Sequence, residues 1–309
     1  MAAANQQLCR VRDRLAGQHI LVTGSTGFLA KVFVEKLLRS VETIGGIHLL
    51  VRPRADGTSP RQRVTQDVLR SSVFDRLRAS LGERYTRLCD EKIHVIGGDL
   101  TKERMGIDVA AYDELTRRIT LVVNSAATVT FDERLDHAIE LNSLGPSRLL
   151  QFAKDCGGIP FLHVSTCYVC GTRSGVVVED FSAPEPARES LPRMAGTGEF
   201  DLDTLVQSMI EESAELQNRH GVETESARRQ LIDAGMRLAR SHGWNDTYTF
   251  TKWIGEQLLL RDRGEVPLVI FRPAIIEGSF DEPMPGWIDG LRMADPIIVA
   301  YGRGKLNEF

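Results

Sequence analysis

Short apolar runs recur along the chain: His19–Val22 (HILV), Ile47–Val51 (IHLLV), Ile93–Ile96 (IHVI), Ile119–Val123 (ITLVV), Phe161–Val164 (FLHV) and Leu268–Phe271 (LVIF). Each is nearly continuous rather than alternating, the pattern of a strand covered on both faces. Between them the spacing changes. Phe28, Val32, Leu37 and Leu38 recur at helical intervals, and the stretches Arg61–Leu81 and Asp132–Lys154 also read as helices. Strands alternating with helices predict a parallel sheet with helices on both faces, a doubly wound α/β fold.

The alternation is interrupted once, between residues 175 and 244. Leu202, Leu205, Val206 and Met209 fall at i, i+3, i+4 and i+7, and Ala227, Leu231, Ala234 and Leu238 repeat the pattern. A largely helical insertion with a mixed-charge, solvated face is expected there. Residues 1–174 and 245–278 then form the nucleotide-binding domain. The insertion and residues 279–309 form a smaller substrate-binding part. After the sixth run the chain is rich in Gly and Pro, and no terminal helix is expected.

Composition narrows the function classes. The chain has 309 residues with 38 Lys plus Arg against 42 Asp plus Glu, a net charge of −4 that argues against a nucleic-acid or other polyanion partner. Its five cysteines, Cys9, Cys89, Cys156, Cys167 and Cys170, are odd in number and scattered, unlike a secreted disulfide framework. No signal peptide or run of about 18 apolar residues is seen, so a cytoplasmic protein is expected, with at most peripheral membrane contact.

The first run leads into Gly24-Ser25-Thr26-Gly27-Phe28-Leu29-Ala30. In a strand-to-helix turn, Gly24 permits the sharp bend and Gly27 lets the backbone approach a pyrophosphate. The helix N-terminus supplies free N–H groups, and Ala30 permits close packing on the sheet. This predicts a Rossmann-type nucleotide site. The second run ends in Val51-Arg52-Pro53-Arg54, without the acid that reads ribose hydroxyls in NAD sites. Arg52 is expected to pair with a 2′-phosphate, which selects NADPH, while Arg54 either assists or faces solvent. Asp99 is expected to accept from the adenine amino group with Leu100 packed on the ring, or to cap a helix. Ser125, Ala126 and Ala127 after the fourth run leave room for ribose and phosphates.

Two further places carry chemistry. Ser165-Thr166 follows the fifth run, and Tyr248-Thr249-Phe250-Thr251-Lys252 puts Tyr and Lys at i and i+4, on one helical face. There the Lys252 ammonium is expected to stabilise a Tyr248 phenolate and to reach the nicotinamide ribose, and Thr166 to hold a carbonyl oxygen. Cys167 and Cys170 form a C-x-x-C without a second Cys pair or matched His group, so no metal is expected. His163, inside a buried run, reads as a satisfied core residue.

The ordered motifs resemble the extended short-chain dehydrogenases/reductases, and within them the fatty acyl-CoA reductases of the male-sterility type. The blocks TGSTGFLAKVFVEKLLRS, IHLLVRPR, NSAATVTFDERLDHAIELNSLG, FLHVSTCYVCG, YTFTKWIGEQLL and FRPAIIEGSFDEPMPGWIDGLRMADP carry the likeness. The resemblance implies reduction of a long-chain acyl-CoA to aldehyde and on to alcohol. It implies Thr166, Tyr248 and Lys252 as catalytic residues. Gly24, Ser25, Thr26, Gly27, Phe28, Leu29, Arg52, Asp99, Leu100, Ala126, Ala127, Tyr248, Lys252, Pro273 and Ile275 would bind NADPH, and Asn142 would pack helices. Because such proteins commonly continue further, an incomplete acyl pocket is expected. A reductase of carrier-bound thioesters or sugar nucleotides, and a silent NADP-binding module, remain alternatives.

Overall fold

The computed structural model describes residues 10–291, 295–306 and 308. Cys9 and residues 292–294 of the last block lie outside them. Six strands, β1 (His19–Thr23), β2 (Gly46–Val51), β3 (Ile93–Gly97), β4 (Leu121–Asn124), β5 (Phe161–Val164) and β6 (Leu268–Phe271), form one sheet in the order β3-β2-β1-β4-β5-β6. Every pairing is parallel, with Val22 in register with Leu49 and Val123, and Val123 with Leu162. The order reverses between β1 and β4, so their carboxyl ends open a crevice where ligands of such sheets bind.

Side chains alternate between two cores. Ile20, Val22, Leu49 and Val51 pack under the Phe28–Ser40 helix, while Leu21, Leu50, Val122 and Phe161 pack under the Gly145–Asp155 helix. A third cluster joins the insertion to the Thr247–Asp262 helix, with Leu202, Leu205, Val206 and Met209 packed in one group with Trp244, Phe250 and Trp253. The insertion is helical as its periodicity predicts, over Glu185–Ser190, Leu202–His220 and Glu225–Ser241. Asp201 and Thr224 cap the two long helices through side-chain bonds to Thr204 N–H and Ala227 N–H.

The structure departs from expectation in four places. β6 is the sheet edge, and Val269 and Phe271 on one of its faces are 58% and 50% exposed, so it is not covered on both faces. Arg61–Leu81 is not one helix: it runs as Pro60–Arg63, a π-helical Val64–Leu69, a break at Arg70-Ser71, and then Ser72–Phe74 and Asp75–Leu81. Asp132–Lys154 is likewise resolved into Leu135–Ala138, a π-helical Ile139–Leu144 and Gly145–Asp155. Finally, a short helix, Asp295–Gly302, stands where none was expected.

Residues 279–289 fold back over the Phe28–Ser40 helix. The Trp287 ring stacks on Phe28 with centroids 5.6 Å apart, and its Nε1–H donates to Ser72 Oγ at 3.0 Å. Asp289 pairs with Lys31 at 2.6 Å, and Glu282 pairs with Lys36, Arg39 and Arg76.

At the opposite, amino-terminal end of the sheet, His19, His48 and His94 stand on adjacent strands. His19 Nδ1 lies 3.1 Å from His48 Nε2, and the His48 and His94 rings stack at 4.6 Å. Burial pushes His48 down to about 3, helped by its two histidine neighbours and Arg118. The fold therefore holds His48 neutral while the unfolded chain binds a proton below pH 6.5, so stability present at neutral pH is lost as pH falls from about 6.5 towards 3. Between pH 7 and pH 5 the unfolding free energy is expected to drop by about 2 kcal/mol from this group. His48→Leu should remove most of that drop in urea titrations at the two pH values.

Candidate active site

The turn after β1 is built by steric exclusion. Gly24 has φ +70°, a region costly for side chains, and a Cβ there would lie 2.7 Å from Ala126 N and from the Ser125 carbonyl group. The turn is thus pressed against the chain leaving β4. Gly27 closes it by donating its N–H to the Gly24 carbonyl at 2.8 Å and stands as N-cap of the Phe28–Ser40 helix. No acidic residue occupies the first turn of that helix, so its free N–H groups and positive dipole end remain uncompensated from within. Thr26, Phe28 and Leu29 are half-buried around this end, while Ala30 is buried against the core.

At the end of β2 the two arginines separate. Arg54 is committed to Asp67, 2.8 Å away, whereas Arg52 is exposed and its guanidinium has no hydrogen-bond or ion-pair partner among the described residues. A third arginine went unnoticed in the sequence. Arg63 donates to the Arg52 carbonyl at 2.7 Å and to Thr26 Oγ1 at 3.5 Å, so it bridges the glycine turn and the end of β2. Its position in a short helix capped by Ser59 gives no signal in a linear reading. A cavity of about 500 Å³ opens here, lined by Thr26, Lys31, Arg54, Arg63, Asp67 and Arg70 among others.

Asp99 neither caps a helix nor lies free. Its Oδ1 accepts from Thr101 N–H at 3.0 Å and from the Thr101 hydroxyl at 2.9 Å, a local turn that fixes the carboxylate. Leu100 is buried beside Leu50 and Met105. Ala126 donates its N–H to Thr23 Oγ1 at 3.2 Å and Asn124 Oδ1 at 3.3 Å, and Ala127 follows, half-buried. Pro273 is brought in by β6: its carbonyl accepts Cys167 N–H at 2.9 Å, which sets it beside Thr166, and Ile275 beyond it is exposed.

Thr166, two residues past β5, is the N-cap of the Cys167–Cys170 turn and accepts Tyr168 N–H at 3.3 Å, and its side chain comes near enough to Tyr248 to pull on the phenol. Tyr248 opens the Thr247–Asp262 helix, which Asp246 caps by accepting Thr249 N–H at 2.8 Å. Lys252 is 1% exposed; its Nζ donates to the Val164 carbonyl at 2.7 Å and lies 3.3 Å from His163 Nε2. The expected lowering of the tyrosine by the lysine is not found. Burial pushes the Tyr248 phenol up, with a smaller downward contribution from Thr166, because Lys252 is turned towards strand β5 instead. Burial in turn pulls Lys252 down to about 8, against an opposing pull from Glu256. Asn142 ties the loop after β4 to this helix, accepting Thr128 N–H at 3.0 Å and donating to Thr251 Oγ1 at 3.1 Å.

Two hydroxyls in the crevice, Ser25 Oγ and Ser165 Oγ, are buried without a hydrogen-bond partner among the described residues. Orphaned buried donors of this kind mark places where a polar ligand completes the bonding. Together with the open helix end and the unpaired Arg52, they fit a nicotinamide dinucleotide laid across the carboxyl ends of β1, β2, β4 and β5.

Residues 22–309 match the family model described as male sterility protein. The chain is 39% identical over 306 residues to the alcohol-forming fatty acyl-CoA reductase of Simmondsia chinensis, covering 98% of this chain and 60% of that one. It is 36% identical over 297 residues to the chloroplastic fatty acyl-CoA reductase 2 of Arabidopsis thaliana, covering 96% and 47%. The chain therefore spans about half the length of the curated relatives it matches. Among solved structures, the terminal R domain from the myxalamid PKS-NRPS pathway aligns with a TM-score of 0.55 at 19% identity, covering 85% of this chain and 50% of that one. The R domain of a Mycobacterium tuberculosis nonribosomal peptide synthetase aligns at 0.52 and 23% identity, over 85% and 50%. These two share the fold.

Gly24→Ala should combine a left-handed backbone with a clash against the chain after β4. Unfolding free energy is expected to fall by about 1–2 kcal/mol or more, and dinucleotide affinity, read by fluorescence titration, by at least about tenfold.

Proposed function

This chain belongs to the male sterility protein family, and from that premise we propose that it is an NADPH-dependent reductase of long-chain acyl-CoA thioesters, giving the aldehyde and, after a second reduction, the primary alcohol. The reading is carried by one observation: Thr166 just past β5 and Tyr248 at the start of the Thr247–Asp262 helix come together at the carboxyl edge of the sheet, with Lys252 one helical turn further along. When bound, the nicotinamide supplies hydride. The chain's own part is to hold the carbonyl oxygen and to give it a proton. Thr166 and Tyr248 present two hydroxyls to that oxygen, where negative charge develops as the carbon becomes tetrahedral. Tyr248 is kept a neutral phenol by burial and is thus a proton donor at working pH.

The acyl chain is accommodated by apolar side chains at the mouth. Phe131 packs edge-on to the Tyr248 ring at 6.0 Å, and Val129, Phe131 and Tyr168 are 67%, 48% and 45% exposed around it. Such exposed apolar groups beside a polar site suit a lipid substrate. NADPH rather than NADH is supported by the unpaired Arg52 and by Arg63 beside it. A cytoplasmic location is supported by Cys89, Cys156, Cys167 and Cys170, which are all free thiols. No helix among the described residues is long and apolar enough to cross a membrane.

A single-turnover mixture of protein, NADPH and palmitoyl-CoA tests the proposal, with nicotinamide oxidation and thiol release followed together and the lipid product identified. Stoichiometric oxidation with thiol release is expected; NADPH binding without any turnover of CoA thioesters would overturn it. Tyr248→Phe should abolish most turnover while NADPH affinity stays within about twofold. Arg52→Ala should weaken NADPH by about 10- to 100-fold, the loss of a charged hydrogen bond to phosphate, and leave NADH unchanged in the same titration.

A further inference from the structure

His163 is fully buried on β5, and its two ring nitrogens face two polar side chains: Nδ1 lies 3.0 Å from Asn124 Nδ2, and Nε2 lies 3.3 Å from Lys252 Nζ. Which nitrogen carries the proton follows from Asn124. The Asn124 oxygen sits 2.6 Å from Thr23 Oγ1, a separation that suits a hydroxyl donating to oxygen and is short for an N–H donor. The same oxygen accepts Ala126 N–H at 3.3 Å, which an amide nitrogen could not do. Asn124 therefore turns its NH₂ towards His163, and Nδ1 is an acceptor. A neutral imidazole has one donor and one acceptor, so Nε2 carries the hydrogen and aims it at Lys252.

An ammonium has three donors and nowhere to accept; an amine has a lone pair. Lys252 as amine accepts from Nε2–H while donating to the Val164 carbonyl, and both bonds are made. The alternative of an imidazolium is opposed by complete burial, which drives His163 well below its ordinary value. Surrounding charge points the same way. Glu256, the one acid acting on Lys252 among the described residues, is fully buried and already bonded by Arg272, with Nε to Oε1 at 2.9 Å. With Lys252 neutral, this buried group carries no net charge; with an ammonium it carries one unbalanced positive charge.

We propose that His163 is a positioning residue for Lys252: held in one tautomer by the Thr23–Asn124 pair, it docks the lysine as an amine against β5, and uptake of a proton releases the lysine towards Tyr248. The site then has two arrangements of Lys252, docked and neutral or released and charged, and the imidazole decides the pH at which they exchange. This rests on the reductase reading for its catalytic consequence, but the docking itself is a property of the unliganded chain.

The test separates the two. Long-range ¹H–¹⁵N correlation spectra of the ¹⁵N-histidine-labelled protein without ligands read the tautomer of each ring directly. His163 is expected as the Nε2–H form at pH 7; an Nδ1–H form or an imidazolium would overturn the proposal whatever the protein reduces. Lys252 is then titrated through its side-chain ¹³Cε shift in the wild type and in Asn124→Leu, whose ring is free to present a bare Nε2 to the ammonium. The lysine midpoint should move up by half a pH unit or more, and the alkaline limb of palmitoyl-CoA reduction should move with it. A midpoint that stays or falls would sink the docking role. His163→Phe, which removes the donor outright, should move the lysine midpoint the same way and guards against a folding defect in the first variant. An upward shift in the lysine titration with no thioester turnover in any variant would leave the docking standing and remove the reductase reading instead.

Discussion

The helix Thr247–Asp262 is buried along almost its whole length and meets solvent only near its last turn. Of its residues, Thr247, Thr249, Thr251, Lys252 and Glu256 are buried along with Phe250, Trp253, Ile254, Leu258 and Leu259, because the sheet, the insertion and the Ile139–Leu144 stretch enclose it. Every polar group on it must then find its partner inside the protein or leave a costly orphan. That requirement arranges much of what surrounds it. Glu256 brings in Arg272 and with it the chain leaving β6, whose Nη1 reaches the Asp180 carbonyl at the start of the insertion. Thr251 takes Asn142, and Lys252 takes Val164 and His163. The groups proposed to act on the carbonyl are thereby placed as a by-product of satisfying a buried helix.

Rigid anchoring and chemical readiness are in tension at Lys252. A buried ammonium with a dedicated carboxylate would be firmly held but inert. Here the carboxylate is engaged elsewhere, and the lysine is left with neutral partners that a change of protonation can rearrange. The neighbouring Tyr248 faces the opposite pressure, since burial keeps its proton on. Two groups one helical turn apart are thus driven in opposite directions by the same low-dielectric setting, the pattern by which one fold separates donor from acceptor.

Five strands could be read from their apolar runs because a covered parallel strand needs little else, and β6 carries the same run although one of its faces is exposed. The glycine turn and Tyr248-x-x-x-Lys252 were readable because both are local: a backbone conformation and a helical spacing. What escaped the linear reading is long-range. Arg63 reaches the turn from a helix beyond β2, and His163 gains its meaning only where Asn124 and Lys252 meet it from separate elements. The π-helical turns at Val64–Leu69 and Ile139–Leu144 leave the apolar pattern nearly unchanged while shifting the hydrogen-bond ladder by one residue. Leu100 and Asp99 show the converse, for a motif placed them correctly after β3 but could not foresee the packing and the Thr101 turn that engage them.

The return of residues 279–289 over the first helix joins parts of the chain some 250 residues apart, as in the Lys31–Asp289 pair with a separation of 258. During synthesis the outer surface of the Phe28–Ser40 helix emerges some 250 residues before its cover. Until then Phe28 lacks Trp287, and Lys31, Lys36 and Arg39 lack Asp289 and Glu282. A chain halted before residue 279 would therefore carry the whole six-stranded sheet yet leave this helix without that cover.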